Sequence, residues 1–102
     1  MNTQDENGRI VILDRDGVIN QDSPDYIKSP EEWQPIPGSL EAIALLHQKG
    51  YSIHVATNQA GVGRGLLTES SLSAIHDKMS TMIAAAGGKL SSIHYCPHHP
   101  KD

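Results

Sequence analysis

The feature that most limits what this chain can become is the apolar run Ile10-Val11-Ile12-Leu13, which stops abruptly at Asp14-Arg15-Asp16-Gly17. A short, continuous run rich in β-branched residues, with no polar alternation, is the pattern of a parallel-sheet strand covered on both faces. From Asn20 to Gly38 the chain carries Pro24, Pro30, Pro35 and Pro37, which exclude a long regular element and predict a structured loop. Ser39 is placed to cap a helix whose Leu40, Ile43, Ala44 and Leu46 keep helical spacing, and Gly50 ends it. Tyr51 to Ala56 predicts a second strand. After Gly61-Val62-Gly63-Arg64-Gly65, Thr68 opens a second helix with Leu72, Ile75, Met79, Met82 and Ile83 on one face, and Gly87-Gly88 stops it. A third strand is predicted over roughly Leu90 to Tyr95. Strands alternating with helices in this order predict an α/β fold with a parallel sheet and right-handed crossovers.

Ligands on such sheets bind beyond the carboxyl ends of the strands. All three strand ends here carry polar residues: Asp14-Arg15-Asp16-Gly17, Thr57-Asn58-Gln59 and Cys96-Pro97-His98-His99. Asp14 and Asp16 stand two residues apart, so an extended backbone points both to one side. Converging carboxylates repel unless a cation or a shared proton intervenes, and Mg²⁺ takes oxygen ligands and bridges carboxylate to phosphate. One carboxylate can attack phosphorus while the other protonates the leaving oxygen and then activates water. A bare Asp-x-Asp reads more readily as a turn; its place after an apolar strand and before Gly17-Val18-Ile19-Asn20 points to chemistry. Thr57 and Asn58 offer a hydroxyl and N–H groups to a phosphoryl oxygen.

The glycine-rich stretch from Gly61 lacks the lysine of a phosphate-cradling loop and follows the second strand, not the first. It is expected to be a mobile loop, with Arg64 either an anion contact or simply solvated. Cys96-x-His98 has metal-ligand spacing, yet a structural zinc site needs four ligands, so a half-site and a buried thiol beside exposed histidines both stay open. His47 and His76 are expected on helix surfaces and His54 on a strand.

Composition excludes several classes. A chain of 102 residues allows one small domain. Its apolar content of 37%, with no Phe, is low for a self-sufficient core. A net charge of -4 without a basic stripe argues against nucleic-acid binding. No apolar run reaches membrane-spanning length, and the polar first residues are not a signal peptide. The single Cys96 makes no internal disulfide, which points to a reducing cytosol.

The stretches Leu13 to Asn20, Thr57 to Gly61 and Cys96 to Pro100 together resemble the haloacid dehalogenase superfamily, in particular its heptose-bisphosphate 7-phosphatase branch, which is related to histidinol phosphatase. The resemblance implies a Rossmann-like fold, of which residues 1–102 would supply the first β-α-β-α-β half as a single incomplete domain. It implies a cytoplasmic, Mg²⁺-dependent phosphatase acting on a small phosphorylated sugar in making heptose for lipopolysaccharide. Asp14 would be the nucleophile and Asp16 the general acid/base, both at the Mg²⁺ site, Asp16 through its main-chain carbonyl. Thr57 would hold the transferring phosphoryl group beside Asn58 and Gln59. Asn20, Asp22 and Tyr26 would belong to the substrate-facing loop, and Cys96 and His98 would be the first two ligands of a structural Zn²⁺. The family pattern continues with a Cys-x-Cys pair, an Arg-Lys pair and a further Asp, none of which follows here. Two outcomes are therefore expected: the amino-terminal part of an active sugar-phosphate phosphatase, or a catalytically inactive remnant. The resemblance leaves heptose bisphosphate and histidinol phosphate both open as substrates.

Overall fold

Residues 9–97 are described by a computed structural model of the chain. Strands β1 (Ile10–Leu13), β2 (Ser52–Asn58) and β3 (Ser92–Cys96) pair in parallel in the order β1-β2-β3. Helix α1 (Ser39–Gln48) crosses from β1 to β2. The short helix α2 (Ala60–Gly63) and the long α3 (Glu69–Ala85) lie between β2 and β3. The proline-bearing segment holds one 3-10 turn, Pro30–Glu32.

Side-chain alternation along β2 divides the sheet into two unlike faces. Ile53 and Val55 are fully buried and join Ile43 of α1 with Leu72, Ile75, Met79 and Ile83 of α3 in one apolar cluster. The proline loop adds Ile19, Ile27 and Trp33 to that cluster. Lys78 of α3 fastens the loop, its Nζ donating to the carbonyls of Pro30 (2.7 Å) and Trp33 (2.8 Å) and lying 5.9 Å from the Trp33 ring centre. The opposite face is open: Ile12 is 69% and Ile10 51% exposed. Covering of β1 on both faces is therefore not found among the described residues, because both long helices pack on the same side. Among the described residues β1 is also an edge strand, with only β2 beside it.

Three boundaries depart from expectation for local reasons. Gly38, with φ 89°, is the N-cap of α1, so Ser39 is its first helical residue and spends its hydroxyl on the Ile19 carbonyl at 2.7 Å. β2 runs on through Thr57 and Asn58, because those residues pair with Tyr95 and Cys96 of β3. The glycine-rich stretch is not an open loop but begins as α2 and packs against the proline loop. Gly61 is buried there, and a Cβ on it would come within 2.7 Å of Leu67 and 3.4 Å of the Tyr26 ring. Thr68 caps α3 as expected, accepting from the Ser71 N–H at 2.9 Å.

Candidate active site

The chain turns sharply after β1 because one carbonyl gathers it in. The Arg15 carbonyl accepts from the N–H groups of Val18 (3.2 Å), Ile19 (2.8 Å) and Asn20 (3.2 Å), while Gly17 at φ 81° donates to the Asn20 carbonyl at 2.8 Å. Such a φ suits glycine, which has no Cβ to clash. Asp14, at the start of the turn, is left exposed, with Oδ1 accepting from the Arg15 N–H at 2.8 Å. Arg15 points the other way and is completely buried.

Asp16 is bound on both oxygens. Its Oδ1 accepts from Arg15 Nη2 (2.7 Å), Arg15 Nε (3.0 Å) and Asn20 Nδ2 (3.0 Å), and its Oδ2 accepts from Gln59 Nε2 (3.0 Å). Gln59 Nε2 also donates to Thr57 Oγ1 at 2.9 Å, which ties the β2 end to the β1 turn. The Gln59 N–H donates to the Cys96 carbonyl at 2.7 Å, so the β3 end is tied in as well. Asn20 uses Nδ2 on Asp16 and on the Gln21 carbonyl, leaving its Oδ1 buried without a hydrogen-bond partner. An unpaired buried carbonyl costs about 1–3 kcal/mol, so the demand of the Asp16 carboxylate decides how this amide is turned.

Behind Arg15 lies His76 of α3, with Arg15 Nη1 and His76 Nε2 3.2 Å apart. His76 is buried on the inner face of α3, not on the helix surface where it was expected. Burial, reinforced by the neighbouring guanidinium, pushes its pKa from 6.5 down to about 4. The imidazole is thus neutral near pH 7, and its Nε2 can accept from Arg15.

Asp14 stands where two clefts meet at the carboxyl edge of the sheet. One, of about 350 Å³, is walled by Asp14, Asp16, Asp22, Ser23, Tyr26 and Asn58. The other, of about 410 Å³, is lined by Asp14, Thr57, Asn58, His94, Tyr95 and Cys96. Asp14, Asp16, Thr57, Asn58, Asp22 and Tyr26 thus all line one or other of these two clefts. Asn20 and Gln59 differ from the expectation of substrate contact: they are 0% and 2% exposed and support Asp16 from behind. Tyr26, at φ 68°, accepts through its hydroxyl from Arg64 Nη1 at 2.9 Å, so Arg64 braces the cleft wall. Arg15 and His76 were missed as site residues, although both left a trace. Arg15 sits between two cleft-facing residues, and His76 falls within the apolar stripe Leu72, Ile75, Met79 and Ile83.

The donor set suits part of a Mg²⁺ site. An exposed carboxylate and a nearby main-chain carbonyl are hard oxygen donors, and Mg²⁺ characteristically takes one or two carboxylates and fills its sphere with water and phosphate. Among the described residues no three Asp, Glu, His or Cys side chains gather to hold a metal. For zinc, Cys96 ends β3 exposed, and His98 lies outside the described residues. No helix among them is long and apolar enough to cross a membrane.

No family model matches the chain. Individual proteins do. The chain is 52% identical over 94 residues to the D-glycero-beta-D-manno-heptose-1,7-bisphosphate 7-phosphatase of Bordetella bronchiseptica, covering 92% of this chain and 52% of that protein. It is 53% identical over 93 residues to the protein of the same name from Pseudomonas aeruginosa, covering 91% and 52%. The crystal structure of D,D-heptose 1,7-bisphosphate phosphatase from B. bronchiseptica, complexed with magnesium and phosphate, matches with a TM-score of 0.89 at 52% identity, covering 92% of this chain and 52% of that one. The chain spans about half the length of the curated relatives it matches. Over that span the chain is similar, in sequence and in fold alike, to heptose-bisphosphate phosphatases and shares the fold of HAD-like phosphatases.

Proposed function

We propose that the chain carries the nucleophile and the acid/base group of a Mg²⁺-dependent phosphatase that removes the 7-phosphate of D-glycero-D-manno-heptose 1,7-bisphosphate. The observation that carries this reading is the contrast at one strand end: an exposed Asp14 carboxylate between two clefts, beside an Asp16 carboxylate held on both oxygens. The names of the relatives support the substrate. Mg²⁺, when bound, supplies positive charge against the phosphoryl oxygens and the Asp14 carboxylate.

The rest falls to residues of this chain. An Asp14 oxygen forms a bond to phosphorus as the bond from phosphorus to the sugar oxygen breaks, and Asp16 gives its proton to that departing oxygen. Thr57 and Asn58, on the wall shared with Asp14, receive the phosphoryl oxygens. Asp16, now a carboxylate, takes a proton from the attacking water, which releases phosphate and restores Asp14. Asp22 and Tyr26, on the other cleft wall, meet the sugar. A structural Zn²⁺ would take Cys96 and His98 as two of its four ligands, a cytoplasmic setting suits that thiolate, and metal analysis of the purified protein tests the site.

The test is phosphate release by the 102-residue chain. Turnover of the heptose bisphosphate with Mg²⁺, lost in Asp14→Asn, is the expected result. Absence of Asp14-dependent turnover overturns it for this chain, and faster hydrolysis of histidinol phosphate overturns the choice of sugar.

A further inference from the structure

A fully buried arginine is costly unless its charge and its N–H groups are met. Arg15 is 0% exposed, and two of its N–H groups converge on a single oxygen, Asp16 Oδ1. That oxygen also takes Asn20 Nδ2, so three donors crowd Oδ1, whereas Oδ2 meets only Gln59. A carboxylate oxygen with three N–H donors has no lone pair left for a proton. The guanidinium fork can keep this aim only if its remaining edge is fixed, and that edge meets His76 Nε2 at 3.2 Å. His76 is itself anchored on the longest helix, among the core residues Leu72, Ile75 and Met79.

We infer that His76 is a positioning residue: by accepting from Arg15 Nη1 it aims the Arg15 fork at Asp16 Oδ1, which leaves the less encumbered Oδ2 as the oxygen that exchanges the catalytic proton. The contact requires the neutral imidazole with its proton on Nδ1, because Arg15 can only donate. The depressed His76 pKa, about 4, agrees with that form. The positioning part stands on geometry alone; the role of Oδ2 rests on the phosphatase reading above.

Two readouts separate these parts. Nitrogen-15 NMR of the 102-residue chain near neutral pH should show the Nδ1-protonated tautomer of His76 and a slowly exchanging Arg15 Nε–H. His76→Phe, which keeps the ring's bulk but removes the acceptor, should speed that exchange by roughly 10-fold or more, and His76→Gln, with an amide oxygen in reach, should restore most of the protection. Protection undiminished in a folded His76→Phe overturns the positioning role. So does an Nε2-protonated tautomer in the unaltered chain, which decides the matter even if His76→Phe does not fold. In turnover, His76→Phe should lower kcat roughly 10- to 100-fold with KM little changed, and His76→Gln should recover most of it. A folded His76→Phe with unaltered kcat overturns the role of Oδ2. An unaltered chain with the expected NMR signals and no Asp14-dependent turnover overturns the phosphatase reading and upholds the positioning contact.

Discussion

Asp16, on the inner side of the first strand end, accepts four N–H donations from three side chains, whereas Asp14, two residues earlier on the outer side, stands exposed between two clefts. The same residue type thus does two different jobs. The inner carboxylate balances a buried guanidinium and is part of the packing; the outer one is held lightly and is available to a ligand. Both side chains wall one cleft, as residues two apart on an extended backbone should, and what separates their jobs is the residue between. Arg15 must turn inward, and its charge draws the Asp16 carboxylate after it.

The contrast is most open to attack at Asp16. Asp16→Ala leaves the Arg15 charge buried without a counter-ion, and urea unfolding should show a loss of about 3–5 kcal/mol. A loss below about 1 kcal/mol would mean that Arg15 relaxes into water and that the inner side is no more built than the outer. Acid should act next most strongly. His76 takes up a proton at about 4 in the fold and near 6.5 when unfolded, so between those values the unfolded chain binds more protons. Stability therefore rises with pH through that window: the contribution, at most about 3 kcal/mol, is complete above pH 6.5 and lost as pH falls toward 4. Urea midpoints across that range, compared with those of His76→Gln, isolate it. A smaller effect belongs to the cleft wall. Gly61→Ala drives a methyl against Leu67 and the Tyr26 ring, and thermal unfolding should register about 1–3 kcal/mol of overpacking. Asp14→Asn should move stability least, by no more than about 0.5 kcal/mol, while abolishing turnover. A large stability change there would erase the distinction between the two sides.

Much of this arrangement was legible in the residues themselves. The run Ile10 to Leu13, the apolar stripes of the two long helices and the polar strand ends fixed the element order, the parallel pairing and the edge where Asp14, Asp16 and Thr57 meet. Local chemistry hid the rest. Ser39 and Gly38 both suit a helix start, and only the tertiary bond from Ser39 to the Ile19 carbonyl separates them. Glycines signal loops, but Gly61 is small because Tyr26 and Leu67 crowd it. Asn20 and Gln59 are polar residues beside a cleft, and nothing in their type distinguishes a hand held toward substrate from one held toward a neighbouring carboxylate. An uninterrupted apolar run says that both faces of β1 are fit for burial, and the described residues bury only one of them.

The docking of the proline loop on α3 has a practical corollary. Its anchor, Trp33, is the one tryptophan of the chain; it is wholly enclosed, with the Lys78 ammonium beside its ring. The protein thus carries a single indole fluorophore, in the segment that leads from the cleft residues Asp22 and Tyr26 to the first long helix. Emission from an enclosed indole lies to the blue of one in water, so a red shift would register undocking of that segment. No dye or label is needed to watch the cleft wall come loose while far-ultraviolet dichroism follows the helices separately.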